Sequence, residues 1–288
     1  MSHLIFGLTP ALSFIPYVAK EKYVFKDHNL EMDFRTFLTG KKTTQALQKG
    51  WVDVGNIIDI NIATLALEKK PKIKLLACTQ IHEDGQIIAR GDSHIKEPSD
   101  LMGKRLGYMP HTSSHIFIEY FARHYGLNLK TVELIPVRTD QMGKELLLGN
   151  IDACSIWEPH SAHIRLTAAQ ENIPLTRLLN TGFFKFYVML GASEKIIKKK
   201  TDDIHVILKA LDQTVEFAEA HPKEAAQILA KIMKLPLNIF EQLQTNTSFR
   251  VIPIPDDFWT QVEMQLHWIS PSTQVNYEKY IDKLTFFK

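Results

Sequence analysis

The sequence predicts an α/β protein of two doubly wound lobes, and three observations carry that prediction. Strand-like and helical segments alternate with short connections through residues 4–190, which is the pattern of a mostly parallel sheet covered by helices. The same local unit occurs twice, in Ala46-Leu-Gln-Lys-Gly-Trp-Val-Asp-Val-Gly and in Leu147-Leu-Gly-Asn-Ile-Asp-Ala. Each runs from a helix end through glycine and two residues into a strand that holds an aspartate. Finally, 288 residues with 45% hydrophobic content are long for one domain and sufficient for two cores.

Leu4 to Leu8 reads as a strand, Thr9-Pro10 as a turn, and Ser13 as the cap of a helix through Lys22. Pro16 then falls in the first turn, where its missing N–H costs least. Leu30, Met32 and Phe34 alternate with charged neighbours as a half-buried second strand. Thr39-Gly40 turns into a helix over 41–49 closed by Gly50; 52–57 is a third strand, 59–67 a helix ended near Pro71, and 73–77 a fourth strand. The extended runs near 88–91 and 185–191 are expected to be two crossings, giving lobe one as residues 1–87 and 188–288 and lobe two as 88–187.

Within lobe two, Ser99-Asp100 caps a short turn, 105–109 is a strand, and Thr112, Ser113 and Ser114 offer cap hydroxyls to a helix carrying Phe117, Phe121 and Tyr125. A helix start rich in hydroxyls suits an anionic or strongly polar ligand, because free N–H groups and the positive dipole end point the same way. The plain alternative is that these hydroxyls only cap the helix. A strand over 132–137, a helix over 139–148 closed by Gly149 and a strand over 152–157 complete the lobe. Everything after Ser193 is expected to be helical: 204–221, 222–234, 236–245, 255–269 and 277–284, as apolar cover for lobe one.

The 34 basic residues barely exceed the 32 acidic ones, for a net charge of +2, which argues against a nucleic-acid binder. Cys78 and Cys154 lie far apart in apolar runs, so no disulfide, metal site or cysteine nucleophile is expected. No run has the length of a transmembrane helix.

Three ordered stretches, Gly50-Trp-Val-Asp-Val-Gly, the run Asp92-Ser-His-Ile-Lys-Glu-Pro-Ser-Asp-Leu-Met-Gly-Lys-Arg-Leu-Gly, and Gly149-Asn-Ile-Asp-Ala-Cys-Ser-Ile-Trp-Glu-Pro-His, resemble the substrate-binding proteins of ABC importers. The group they are most similar to binds nitrate, sulfonates, taurine and thiamine-pyrimidine precursors. The chain departs from that pattern at Lys22 and Asn29, where the group usually has glycine. Asn29 tolerates a left-handed backbone better than Lys22 does.

The resemblance implies a type II periplasmic binding protein fold, a ligand held in an inter-lobe cleft, delivery to an ABC permease, and a monomer with no cofactor. It also implies a periplasmic or otherwise extracytoplasmic place, with a leader removed before Met1. Carried onto this chain, it puts Thr9, Pro10, Ser13, Thr39, Gly40, Asn56 and Asp59 of lobe one at the ligand, with Thr112, Ser113, Ser114, Trp157 and Glu158 of lobe two. Asp59 and Glu158 are equally readable as helix-start acids, and Trp157 as core. Taken as ligand contacts, the two acids favour a zwitterion or an amino-heterocycle, so the expected ligand is a sulfonate, an amino-sulfonate or a pyrimidine. The rival is an enzyme: one branch of the fold makes the thiamine pyrimidine from its own histidine and pyridoxal phosphate, using a cysteine-rich segment that has no match here. His82, His111, His115 and His160 keep a histidine role in view. A third reading is the sensing domain of a receptor.

Overall fold

The computed structural model describes residues 2–68, 72–243, 247–274, 276 and 280. The chain divides into two compact units. Unit 1 comprises residues 1–81, 187–244 and 248–288; unit 2 comprises 82–186 and 245–247. Apart from the short piece at 245–247, the chain passes into unit 2 at 81–82 and back into unit 1 at 186–187.

Unit 1 opens with β1 (Ser2–Leu8), α1 (Phe14–Glu21), α2 (Val24–Asp27), β2 (Leu30–Thr36), α3 (Gly40–Gln48), β3 (Val54–Ile58), α4 (Asp59–Leu65) and β4 (Ile73–His82). Unit 2 follows with β5 (Gln86–Arg90), β6 (Arg105–Tyr108), α5 (Ser113–Tyr125), β7 (Glu133–Pro136), α6 (Thr139–Leu147), β8 (Ala153–Ile156), α7 (His160–Gln170) and β9 (Leu175–Leu179). The chain returns to unit 1 as β10 (Phe186–Ser193), α8 (Glu194–Lys199), α9 (Thr201–Ala220), α10 (Pro222–Met233), α11 (Leu237–Leu243), β11 (Thr247–Ile252) and α12 (Asp256–Ile269).

Both sheets are mixed, which modifies the mostly parallel expectation. In unit 1 the order is β11-β4-β10-β3-β1-β2, with β1 parallel to β2 and β3, and β10 antiparallel to β3. In unit 2 the order is β7-β6-β8-β5-β9, with β6 parallel to β7 and β8, and β5 antiparallel to both β8 and β9. Each sheet thus contains a parallel three-strand α/β half with an antiparallel strand beside it, followed outward by β4 and β11 in unit 1 and by β9 in unit 2. Those two antiparallel strands are the runs expected as crossings: the passage at 186–187 falls within the second run, at the start of β10, while the first passage lies at 81–82, ahead of the run expected near 88–91. The stretches Ile87-Ile88-Ala89 and Tyr187-Val188-Met189-Leu190 are too apolar to be linkers, and all of these residues are buried.

The repeated glycine–x–x–aspartate unit has one structural purpose in both halves. Gly50 (φ 69°) and Gly149 (φ 75°) end α3 and α6 in the left-handed region, which glycine enters without a Cβ penalty. Each glycine N–H closes on the helix, to Leu47 O and to Leu146 O, both at 3.0 Å. Asp53 then exchanges bonds with β1: its N–H donates to Ile5 O (2.8 Å) and its Oδ2 accepts from Ile5 N (2.9 Å). Asp152 does the same with Arg105 of β6, at 2.9 and 2.8 Å. The aspartate thus locks the third strand of each half onto the first.

The C-terminal helices cover unit 1 as expected: α9 and α10 pack on α1, and α12 packs on α4. One strand interrupts them, β11, because Ser248-Phe-Arg-Val-Ile alternates as an edge strand. The helix expected over 277–284 falls almost wholly outside the described residues. Of the two non-glycine departures, Asn29 does take a positive φ (57°), but Lys22 does not (−91°); Tyr23 takes it instead, at 57°. No helix among the described residues is long and apolar enough to cross a membrane.

Candidate functional site

In unit 1 the turns after β1, β2 and β3 lie together at the carboxyl ends of these parallel strands, where open α/β sheets place their ligands. Most of their polar groups are tied to one another. Ser13 is at the N-cap position of α1 but makes no capping bond; its hydroxyl accepts from Thr9 N (2.9 Å) and donates to Asn56 Oδ1 (3.0 Å). Asn56 Nδ2 donates to Thr79 Oγ1 (3.1 Å), and Thr79 Oγ1 donates to Val188 O (3.0 Å). The Thr9 and Thr43 hydroxyls share a 2.6 Å bond. Thr39 caps α3 by accepting from Lys42 N. Thr9, Ser13 and Asn56 therefore form a buried polar chain that fixes the turns, while half-buried Pro10 and Thr39 lie at its margin.

Asp59 is tied to β10 and α12 and not to the polar groups of these turns. It is the first residue of α4, after the N-cap Ile58, and is fully buried. Its Oδ1 accepts from Ile60 N (2.7 Å), and its Oδ2 accepts from Tyr187 N (3.3 Å) and from the Gln261 amide of α12. Burial raises its carboxyl to about 6, because these partners are all uncharged. A neighbour the sequence reading passed over, Asn61, is buried, with its Oδ1 beside Gly40. The only signal for it was an amide within the apolar run Ile60-Asn-Ile-Ala.

In unit 2 the helix start proves selective. Thr112 occupies the N-cap position with no side-chain cap; its hydroxyl donates back to Met109 O (2.7 Å). Ser114 Oγ accepts from Met109 N (3.0 Å), and Ser114 O accepts from the Ser155 hydroxyl (2.9 Å). These two residues fix the turn between β6 and α5. Ser113, between them, is a largely buried residue whose hydroxyl makes no hydrogen bond among the described residues. It stands where the first amides of α5 lack carbonyl partners. His115 lies one helical turn from His111 and its ring sits 4.5 Å from the Tyr108 ring. Burial, and then His111, lower His115 to about 4, so at neutral pH its ring is uncharged.

Glu158 is part of the frame of unit 2. It is buried; Oε1 accepts from Arg165 (3.0 Å) and from Gln86 Nε2 (3.3 Å), and Oε2 accepts from Ala162 N (2.9 Å). Its own N–H donates to Asp84 Oδ2 (3.2 Å), and Arg177 Nε donates to Gln86 Oε1 (2.8 Å). The sequence reading found Glu158 but none of Asp84, Gln86, Arg165 and Arg177, which come from elements distant in sequence. Trp157 is half-buried with its ring edge-on to His160 at 5.9 Å. Burial, and then His163, lower His160 to about 4. Cys78 and Cys154 are free and buried, and burial pushes both thiols up to about 12.

A family model described as NMT1/THI5 like matches residues 13–225. A protein of Brucella abortus (strain 2308), named as a candidate binding protein, is 26% identical over 226 residues, 77% of this chain and 68% of its own length. The 4-amino-5-hydroxymethyl-2-methylpyrimidine phosphate synthase of Candida albicans (strain WO-1) is 25% identical over 223 residues, 73% of this chain and 64% of its own. Among solved structures, the periplasmic aliphatic sulphonate binding protein SsuA of Escherichia coli superposes with a TM-score of 0.83 at 18% identity, covering all of both chains. The fold is that of the type II periplasmic binding proteins.

Proposed function

That this chain belongs to the NMT1/THI5-like family is the premise from which we propose that it is a solute-binding protein, taking up a small polar ligand outside the cytoplasm and passing it to an ABC permease. One observation carries the reading. At the start of α5 the hydroxyls on either side are committed to the turn, while the Ser113 hydroxyl and the first helix amides are left for something else. Donors grouped at a helix start favour an acceptor-rich head group, and the Tyr108–His115 face favours a flat or apolar portion beside it. Sulfonates, amino-sulfonates and pyrimidines all fit that description, and relatives that carry such ligands in their names support it.

The ligand contacts we propose are Ser113, Trp157, Pro10 and Gly40, together with Thr39, whose hydroxyl accepts from Lys42 N and keeps its own proton to donate. Thr9, Ser13, Asn56, Thr112 and Ser114 shape the turns that present them. Asp59 and Glu158 act at one remove, because their carboxylates are saturated by their own units. With both carboxylates met inside their own units, neither acid supports a cationic part of the ligand.

Native mass spectrometry of protein purified without denaturation tests the reading, followed by calorimetric titration with taurine, ethanesulfonate and 4-amino-5-hydroxymethyl-2-methylpyrimidine. The expected result is a retained small molecule released on denaturation, or saturable one-to-one binding of at least one probe. Protein that carries nothing and binds none of the three rejects it. A pyridoxal-type aldehyde attached to a lysine would replace the binder with the enzyme.

A further inference from the structure

β2 (Leu30–Thr36) ends the sheet of unit 1: β1 pairs with it on one side, and no strand among the described residues pairs with it on the other. Its two faces differ. Leu30, Met32 and Phe34 share one face, while Glu31, Asp33 and Arg35 share the other and are all exposed. Leu30 is buried, but Met32 and Phe34 are only half covered. The Phe6 and Phe25 rings meet Phe34 at 6.4 and 6.0 Å, yet a cavity of about 440 Å³ remains, lined by these three strand residues with Tyr23 and Phe25. An edge that offers ladder groups beside uncovered apolar side chains is a template for another strand. Charges on an edge commonly guard against that, so their pattern decides what can pair there.

The pattern on β2 is complementary to itself. When two copies of the strand run antiparallel, the register that overlaps all seven residues sets Leu30 against Thr36, Glu31 against Arg35 and Met32 against Phe34, each twice, and Asp33 against itself on the two-fold axis. The Glu31–Arg35 contacts join opposite charges, and the Met32–Phe34 contacts continue the apolar face. Only the Asp33 pair is like-charged, and each Asp33 Oδ2 already meets His3 Nε2 at 3.0 Å. Arg35 is held at the edge by its bond from Nη1 to Trp51 O (2.9 Å), with further guanidinium donors left for an acid. A slip of two residues one way opposes Glu31 to Asp33, and the other way carries Leu30 and Glu31 past the end of the partner strand. Charge and overlap thus select the same register.

We propose that the β2 edge of unit 1 is a self-association surface, at which two copies of this chain pair antiparallel through Leu30–Thr36 and join their sheets across a two-fold axis. One strand from each copy makes a small interface, so the dimer is reversible rather than obligate. The inference stands on unit 1 alone and does not depend on the solute reading. Where the resemblance implies a monomer, this edge implies a monomer that dimerises on concentration.

Sedimentation equilibrium at up to about 0.5 mM should show wild-type protein passing from monomer to dimer. Glu31→Arg and Arg35→Glu each turn two attractive contacts into repulsive ones and should weaken the dimer about tenfold. The double exchange Glu31→Arg with Arg35→Glu should restore it to within about threefold of wild type, and Asp33→Asn, which removes the like-charged pair, should tighten it about threefold. All three positions are exposed, so an unchanged melting temperature checks that each variant keeps its fold. Oxidation with glutathione disulfide reads the register. Asp33→Cys should cross-link two copies, because opposed residues hold their Cβ atoms about 4.5–5.5 Å apart, whereas Glu31→Cys, which faces Arg35, should not. A monomer at every concentration overturns the proposal. So does a dimer that the single exchanges leave intact, or one that the double exchange fails to restore, because its interface then lies elsewhere.

Discussion

Units 1 and 2 set the same pair of acids on the same template and then use the second acid differently. Each turns from helix to strand through glycine–x–x–aspartate, at Asp53 and Asp152, and each has a second acid six positions later, at Asp59 and Glu158. The first acids do the same work, clamping the third strand to the first. The second acids are both buried, but Asp59 is met only by amides while Glu158 is met by the Arg165 guanidinium. The comparison teaches that a buried carboxylate at this position is part of the frame in both units. It joins α4 to α12 in unit 1, and α7 to β5 in unit 2.

The largest consequence is a pH dependence that belongs to unit 1. The Asp59 carboxyl rises from 3.8 to about 6 in the folded chain, so between those values the folded state holds more protons than the unfolded one. Stability then falls as pH rises through about 4 to 6, by up to about 3 kcal/mol. Urea unfolding at pH 4, 5, 6 and 7 should show this fall in the wild type and a flatter profile in Asp59→Asn. An unchanged profile in the variant would place the titration elsewhere.

Next in size is the cation of unit 2. Arg165→Ala leaves Glu158 buried without its charge partner and should cost about 2 kcal/mol, less than a fully buried pair because Arg165 keeps 24% of its side chain exposed. Adding Glu158→Gln should restore much of the loss, as a double-mutant cycle would read. A loss that the second change deepens would mean the pair is not the unit that matters.

The smallest effect distinguishes the first acids. Asp53→Ala and Asp152→Ala should each cost about 1 kcal/mol for the lost strand clamp. Asp152 is further engaged by Arg105, at 2.6 and 3.1 Å, which lowers its carboxyl below the ordinary range. Any excess cost at Asp152 should therefore shrink in about 1 M salt while the Asp53 cost stays. Equal salt response at both sites would remove that distinction.

Much of this frame was legible in the chain. The repeat around Gly50 and Gly149 could be read because the motif is local and periodic, and so could the parallel α/β halves and the helical cover of unit 1. That β5 and β10 also pair as antiparallel strands was not legible, because an apolar run of five to eight residues has the same composition whether it links or pairs. The candidate site was legible only as a neighbourhood. Sequence named the three hydroxyls at 112–114, but which of them is free depends on the Met109 carbonyl and N–H engaging the other two. Asp59 and Glu158 were found as acids at strand ends, yet their partners Gln261 and Arg165 come from elements whose faces no local pattern reveals. Asn61 was missed because a buried amide is recognised as such only once the packing around it is known.

The central claim is that committed groups build the turn and uncommitted ones meet the ligand, and paired alanine variants at the start of α5 test it most directly. Wild type, Ser113→Ala and Ser114→Ala would be titrated calorimetrically with the ligand that native mass spectrometry finds, and each would be melted alone. Ser113→Ala should weaken binding about tenfold or more with the melting temperature nearly unchanged. Ser114→Ala, losing its bond to Met109 N, should lower the melting temperature and leave affinity within about threefold. The reverse pattern, with Ser113→Ala silent in binding, would contradict the account.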